Sequence, residues 1–285
     1  IIQDFAPDVC VGTGGYVCYP VLKAASQLGV PTAVHESNAV PGLTTKMLES
    51  SMDAVMVGFE ESRQNYRHPD RVVVTGTPVR LDFLKEDKLT ARRELGLPED
   101  RPLVASVWGS LGAAHMNEIM ADFIVRACAN PFFSLIHSAG KGGYKGMVET
   151  LEKEKPDYRE RGMDVRDYIY DMPRVMAAAD LVLCRAGAST LAELTAMGKP
   201  AVLIPSPNVT NNHQERNARV LEDAGGAQVL LEGEFTADSL LGLVSELLHR
   251  PERLEAMSKA MKTLAVADST ERIASLVLSL AGKGK

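Results

Sequence analysis

Two consecutive parallel α/β units of Rossmann-like type are the architecture this sequence predicts, and three observations carry the expectation. Short β-branched runs alternate with amphipathic stretches of helical length along nearly the whole chain. A strand, a glycine turn and a helix start follow one another twice, at Val11 to Tyr16 and at Val107 to Ala113. Between the two series the periodicity lapses, through the charged stretch Leu81 to Arg93.

In the first series Asp8 to Val11, Pro31 to His35, Asp53 to Val57 and Arg71 to Thr75 read as strands, with helices at Pro20 to Leu28 and Gly42 to Glu49. The boundary between units is expected near residues 80 to 90. The second series opens with the strand Leu103 to Trp108 and continues at Phe132 to His137, Val165 to Ile169, Asp180 to Cys184, Ala201 to Ile204 and Ala227 to Leu231. Helical-length segments separate nearly all of them, the rhythm of a parallel sheet with crossover helices. Helices at Ala237 to His249, Glu252 to Leu264 and Ser269 to Leu280 close the chain, with Pro251 placed as a first-turn proline.

The 285 residues, 45% hydrophobic and 24% charged, suffice for a sizeable core. A net charge of −6 argues against a broad nucleic-acid surface, and no nucleic-acid partner is expected. Cys10, Cys18, Cys128 and Cys184 form no CxxC pair, so neither a zinc knot nor a disulfide framework is indicated and a reducing, cytoplasmic compartment fits. No apolar stretch reaches the roughly 18 to 20 residues of a membrane-spanning helix, and no signal core opens the chain. The start, Ile1-Ile2-Gln3-Asp4-Phe5, carries no initiator Met and reads as an N-terminal truncation.

Several turns hold residues suited to anion and sugar chemistry. Gly12-Thr13-Gly14-Gly15-Tyr16 sits between a strand and a helix, where glycines let backbone N–H groups approach a phosphate. A dinucleotide reading would use Glu36 as the ribose-binding acid, although Val17 occupies the third glycine position; a tight turn alone is the bland alternative. Gly109-Ser110-Leu111-Gly112-Ala113 repeats the setting and adds a hydroxyl. His35-Glu36-Ser37-Asn38 ends a strand at the edge where open α/β sheets place ligands; alternatively Ser37 and Asn38 merely cap the next helix. Arg80 lies where the units meet. In Arg185 to Glu193, small residues opening a helix expose N–H groups for a diphosphate, and Glu193 can accept from ribose hydroxyls. The competing reading is a T-x-x-E capping box of Thr190 and Glu193. Pro205 to Gln214 is a long polar turn rich in donors.

Taken in order, Gly14-Gly15-Tyr16-Val17, His35-Glu36-Ser37-Asn38 with Val40 to Thr44, Thr75 to Arg80, Gly109 to Ala113, Asp180 to Glu193, and His213-Gln214 with Asn217-Ala218 resemble the MurG family, the lipid II-forming N-acetylglucosaminyltransferases of bacterial cell-wall synthesis. The resemblance implies a GT-B fold, two Rossmann-like parallel-sheet domains facing across a cleft. Residues 1–82 would form a partial acceptor-binding domain, 83–267 the UDP-GlcNAc-binding domain, and 268–285 a helix packing back on the first. It implies inverting transfer of GlcNAc from UDP-GlcNAc to the C4 hydroxyl of MurNAc in lipid I, without metal or cofactor, at the cytoplasmic face of the plasma membrane by peripheral contact. Carried over by motif, Arg80 and Ser110 contact the nucleotide, Ile169 meets the uracil, and Ala188, Ser189, Thr190, Leu191, Ala192 and Glu193 bind diphosphate and ribose. His213 and Gln214 face the sugar and phosphates, Asn38 reaches the donor from the opposite domain, and Gly14, Gly15 and Tyr16 face the acceptor diphosphate. His35 and Glu36 line the acceptor side as the candidate bases.

The family's leading strand and first glycine-rich loop have no counterpart upstream of Ile1, and activity is expected to need that segment. Trp108 stands where the family usually has glycine or another small residue. The alternatives are another GT-B UDP-sugar enzyme, such as a UDP-GlcNAc 2-epimerase or a glycolipid transferase, an NAD-dependent oxidoreductase, and an inactive fragment.

Overall fold

The computed structural model describes residues 1–109 and 113–283, which form two parallel sheets. After a short helix α1 (Ile2–Phe5), the first sheet takes the order β1 (Cys10–Gly12), β2 (Thr32–Glu36), β3 (Ala54–Val57) and β4 (Val72–Val74). Crossover helices α2 (Cys18–Gln27) and α3 (Leu43–Leu48) belong to this unit. Side-chain alternation divides its strands between two covers. Val34, Val55 and Val57 join Leu22 of α2 and Leu48 of α3 in one cluster, while Ala33, Ala54 and Met56 form another with Leu280 from the end of the chain.

The lapse in periodicity from Leu81 to Arg93 proves to be two short helices, α4 (Leu81–Lys85) and α5 (Lys88–Glu94). Each buries little: Phe83 in α4, and Ala91 with the hydrogen-bonded Arg92 in α5. Such sparse anchoring gives no readable period in so few residues. Asp87 starts α5 by accepting from the Leu89 and Thr90 N–H groups, as an N-cap should.

The second sheet contains β5 (Leu103–Val107), β6 (Ser134–Ser138), β7 (Met163–Arg166), β8 (Leu181–Cys184), β9 (Ala201–Leu203) and β10 (Ala227–Val229), ordered β10-β9-β8-β5-β6-β7. Helices α6 (Ala114–Ala127), α7 (Tyr144–Glu154) and α11 (Ala237–Leu248) contribute to one core cluster, α8 (Met172–Ala178), α9 (Ala188–Met197) and α10 (His213–Asp223) to the other, and α12 (Pro251–Thr263) to both, through Met257 and Met261. The second cluster also takes in Ala39 and Phe59 from the first unit and Phe83 from α4. The last helix, α13 (Ser269–Lys283), returns to the first sheet through Ile273, Leu276 and Leu280. Its entry is tight: Gly76 has φ +73, and a Cβ there would lie 2.5 Å from the Cβ of Val266.

Strand β7 ends three residues earlier than the expected run, so Ile169 lies in the turn beyond it. Pro251 occupies the first turn of α12 as anticipated.

Candidate active site

Strand order determines where the second unit opens. The chain lays β6 and β7 on one side of β5, then returns to place β8, β9 and β10 on the other. The connections diverge between β5 and β8, which leaves a crevice at the C-terminal ends of those strands. A cavity of about 560 Å³ occupies that position, lined among others by Trp108, Arg185, Gly187, Thr190, Gln214 and Glu232.

Helix α9 begins at this cavity. Its N-cap is Gly187, without a side-chain cap, so Thr190 sits inside the first turn and not at the cap. The capping box of Thr190 and Glu193 is therefore absent, and the first N–H groups of α9 are left for an external acceptor. One turn further in, the half-buried carboxyl of Glu193 has no hydrogen-bond or ion-pair partner among the described residues. Burial pushes it up to about 7, against a lowering by Arg80 and with a smaller raising by Asp82. Arg80 itself caps the start of α4, largely exposed, 3.5 Å from Asp82 and with its guanidinium 5.1 Å from the centre of the Phe83 ring.

Gln214 works on the backbone of the site. Its Oε1 accepts from the N–H groups of Ala186 at 3.3 Å and Ser206 at 2.9 Å, joining the loops after β8 and β9. Its amide nitrogen alone remains for a ligand. The neighbouring His213 lies 2.9 Å through Nδ1 from the Thr210 carbonyl, which can only accept, so Nδ1 carries the proton of that bond. A second cavity of about 330 Å³ brings His213 and Arg216 opposite Asn38 and Lys46, one wall from each unit. Arg185, Asn217 and Glu232 carry this architecture without having been assigned roles from sequence; only their positions after β8, in α10 and after β10 reveal them.

The two residues singled out as bases are committed to the fold. Glu36 is 6% exposed. One of its oxygens accepts from Asn38 N and Nδ2, the other from Gly42 N and Thr45 Oγ1. Four donors leave it free neither to deprotonate an acceptor nor to hold an NAD ribose. The cap of α3 is Gly42, so Ser37 and Asn38 do not cap it either. His35, 9% exposed, points to the face of β2 that carries Ala33, where α13 packs, and its Nε2 lies 2.9 Å from the Gly76 carbonyl. Both hold loops in place.

Gly14 and Gly15 adopt φ +87 and +82 in an open loop, and Tyr16 beside them is fully displayed to solvent. Ile169 is 2% exposed within the core, so a base could be met only by its main chain. Ser110 falls outside the described residues.

Comparison with known proteins agrees with this layout. Residues 104–273 match the glycosyltransferase family 28 C-terminal domain, and residues 1–57 the N-terminal domain of the same family. The UDP-N-acetylglucosamine--N-acetylmuramyl-(pentapeptide) pyrophosphoryl-undecaprenol N-acetylglucosamine transferase of Acetivibrio thermocellus is 43% identical over 277 residues, 97% of this chain and 74% of the relative. Its namesake from Bacillus cytotoxicus is 40% identical over 283 residues, 99% and 76% of the two chains. Among solved structures, MurG of Acinetobacter baumannii aligns with a TM-score of 0.78 at 24% identity, over 98% of this chain and 75% of that one. A UDP-GlcNAc 2-epimerase from Neisseria meningitidis, bound to UDP-GlcNAc, aligns at 0.68 with 16% identity, over 98% and 78%, a likeness of fold. The dinucleotide reading falls with the engagement of Glu36 by four donors. By sequence and by the GT-B arrangement of its two sheets, the chain belongs to glycosyltransferase family 28, among the MurG-type N-acetylglucosaminyltransferases.

Proposed function

We propose that this protein moves GlcNAc from UDP-GlcNAc to the C4 hydroxyl of MurNAc in lipid I, forming lipid II with inversion at the anomeric carbon. The observation that carries the donor half is the uncapped start of α9 opening into a cavity, with the unpartnered Glu193 carboxyl one turn behind it. Helical N–H groups suit a diphosphate, and a carboxylate with vacant lone pairs suits two ribose hydroxyls. As UDP leaves, charge grows on its β-phosphate, where the α9 N-terminus and the guanidinium of Arg80 stabilise it without a cation. The Ile169 main chain would receive uracil, and His213 with the Gln214 amide would face the sugar and phosphates.

Gly14, Gly15 and Tyr16 would meet the acceptor diphosphate. Asn38 acts on the donor side chiefly by holding the two units together, as its hydrogen bonds indicate. Residues 1–82 with the α13 segment would form the acceptor half, and residues 83–267 the donor half. Because lipid I is anchored by its undecaprenyl chain, the site must work at the cytoplasmic surface of the bilayer. No helix among the described residues is long and apolar enough to cross it, which suits peripheral contact.

The test is transfer of labelled GlcNAc from UDP-GlcNAc to lipid I in detergent or vesicles. Lipid-dependent incorporation supports the proposal. Turnover of UDP-GlcNAc without any lipid acceptor would overturn it in favour of epimerase chemistry.

A further inference from the structure

The donor cavity contains one carboxylate that the assignment above leaves unused. Glu232 follows β10 and lines the same wall as Arg185 and Gln214. It is nearly buried, its side chain 13% exposed, and its Oε2 stands 2.5 Å from the guanidinium of Arg185. That ion pair is its only polar contact among the described residues. An ionised carboxylate offers about four acceptor positions, and no hydrogen bond among the described residues fills those of Glu232, whose Oε2 is buried.

Arg185 is engaged through one nitrogen. Its Nη1 donates to the carbonyls of Ile204 at 3.1 Å and Pro205 at 3.2 Å beside the ion pair with Glu232, and its guanidinium lies 5.8 Å from the centre of the Trp108 ring. The indole, 3% exposed, forms a shelf beneath it. Nη1 of Arg185 is thereby committed and fixes Glu232, while Nε and Nη2 make no hydrogen bond among the described residues.

A carboxylate whose charge is paired but whose lone pairs are unfilled attracts hydroxyl donors. Glu232 leaves the strand two ladders from β8, whose end supplies the α9 N-terminus. Two ladder spacings put the two strand ends about 10 Å apart.

We propose that Glu232, held by Arg185 against Trp108, is a specificity-determining residue that accepts hydrogen bonds from hydroxyls of the transferred sugar. This rests on the donor-site reading above, and the experiment separates the two. The whole chain and its Glu232→Ala and Glu232→Gln variants are titrated calorimetrically with UDP and with UDP-GlcNAc. The expected result is unchanged UDP affinity in both variants. UDP-GlcNAc affinity falls about tenfold in Glu232→Ala and less in Glu232→Gln, which keeps one acceptor oxygen. Equal loss of both ligands would make Glu232 a purely structural partner of Arg185 and overturn the proposal, as would no change in either. Unmodified protein that binds neither ligand would instead remove the donor site itself, and the role of Glu232 with it.

Discussion

Asn217 Nδ2 stands 3.0 Å from Asn38 Oδ1, so a side chain of α10 bonds the loop that follows β2 in the other unit. The same amide accepts from Ala39 N at 2.8 Å and donates to the Ala186 carbonyl at 3.2 Å, just before α9. Asn38 in turn donates to Glu36. One chain of hydrogen bonds thus runs from a buried carboxylate of the first sheet to the loop that precedes α9 in the second. It fixes the relative placement of two walls of the cleft.

Asn217→Ala is expected to break that link. The Ala39 N–H and the Ala186 carbonyl would lose a partner in a fully buried place, a loss of about 1–3 kcal/mol in urea unfolding. UDP-GlcNAc affinity should fall along with stability, because Ala186 precedes the α9 N-terminus. Stability lost without any change in binding would show that the link serves the fold alone.

The sheets were legible in the sequence because parallel strands covered on both faces are nearly continuous apolar runs, as Leu181 to Cys184 and Ala54 to Val57 are. The sequence left Glu193 between a ribose acceptor and a capping box with Thr190, and the N-cap at Gly187 removes the second of these. The engagement of Glu36 and His35 was not legible, because residue type and position at a strand end do not reveal it. What neutralises Glu36 comes from Gly42 and Thr45, residues whose reach across the loop only folding creates. The Arg185 and Glu232 pair was hidden more deeply, its members being brought together by strands that are not adjacent to each other.

Glu36 offers a direct check on its new role. Glu36→Ala releases four donors around Asn38, Gly42 and Thr45, and cleavage of the 37–45 loop by a nonspecific protease should accelerate. Glu36→Gln, which keeps one acceptor oxygen, should lower the transfer rate while leaving the acid limb of its pH profile in place. An acid limb displaced or abolished in the variant would restore Glu36 as the base.

His137 should govern part of the acid sensitivity. It is fully buried between β5 and β6 with Nδ1 2.9 Å from Ser106 Oγ, and burial lowers its pKa from 6.5 to about 3. The unfolded chain takes up a proton below pH 6.5 that the folded one refuses, so stability is lost as pH falls from 6.5 towards 3. The slope from this one group is about 1.4 kcal/mol per pH unit. His137→Gln should unfold more easily at pH 8 yet show a shallower decline on acidification, measured by urea unfolding across that range. Parallel declines in the two proteins would place the acid sensitivity elsewhere.

Glu193 sets the opposite pH dependence. Its carboxyl is raised from 4.5 to about 7, chiefly by burial, so the folded protein holds a proton there that the unfolded chain has released. The stabilisation this gives is complete below pH 4.5 and is lost as pH rises through 7. Glu193→Gln should therefore raise the melting temperature of the free protein at pH 8 relative to its effect at pH 4.5. Donor binding reverses the preference, because ribose hydroxyls donate to the carboxylate and favour the charged form. UDP-GlcNAc, whose diphosphate diester does not titrate in this range, should bind more tightly as pH rises through 7 and level off above it. Binding should release a proton near neutrality, seen as a buffer-dependent heat in calorimetry. In Glu193→Gln affinity should drop about tenfold at pH 8, and both the proton release and the pH dependence should disappear. A variant that binds as tightly as the parent at pH 8 would remove the ribose from Glu193.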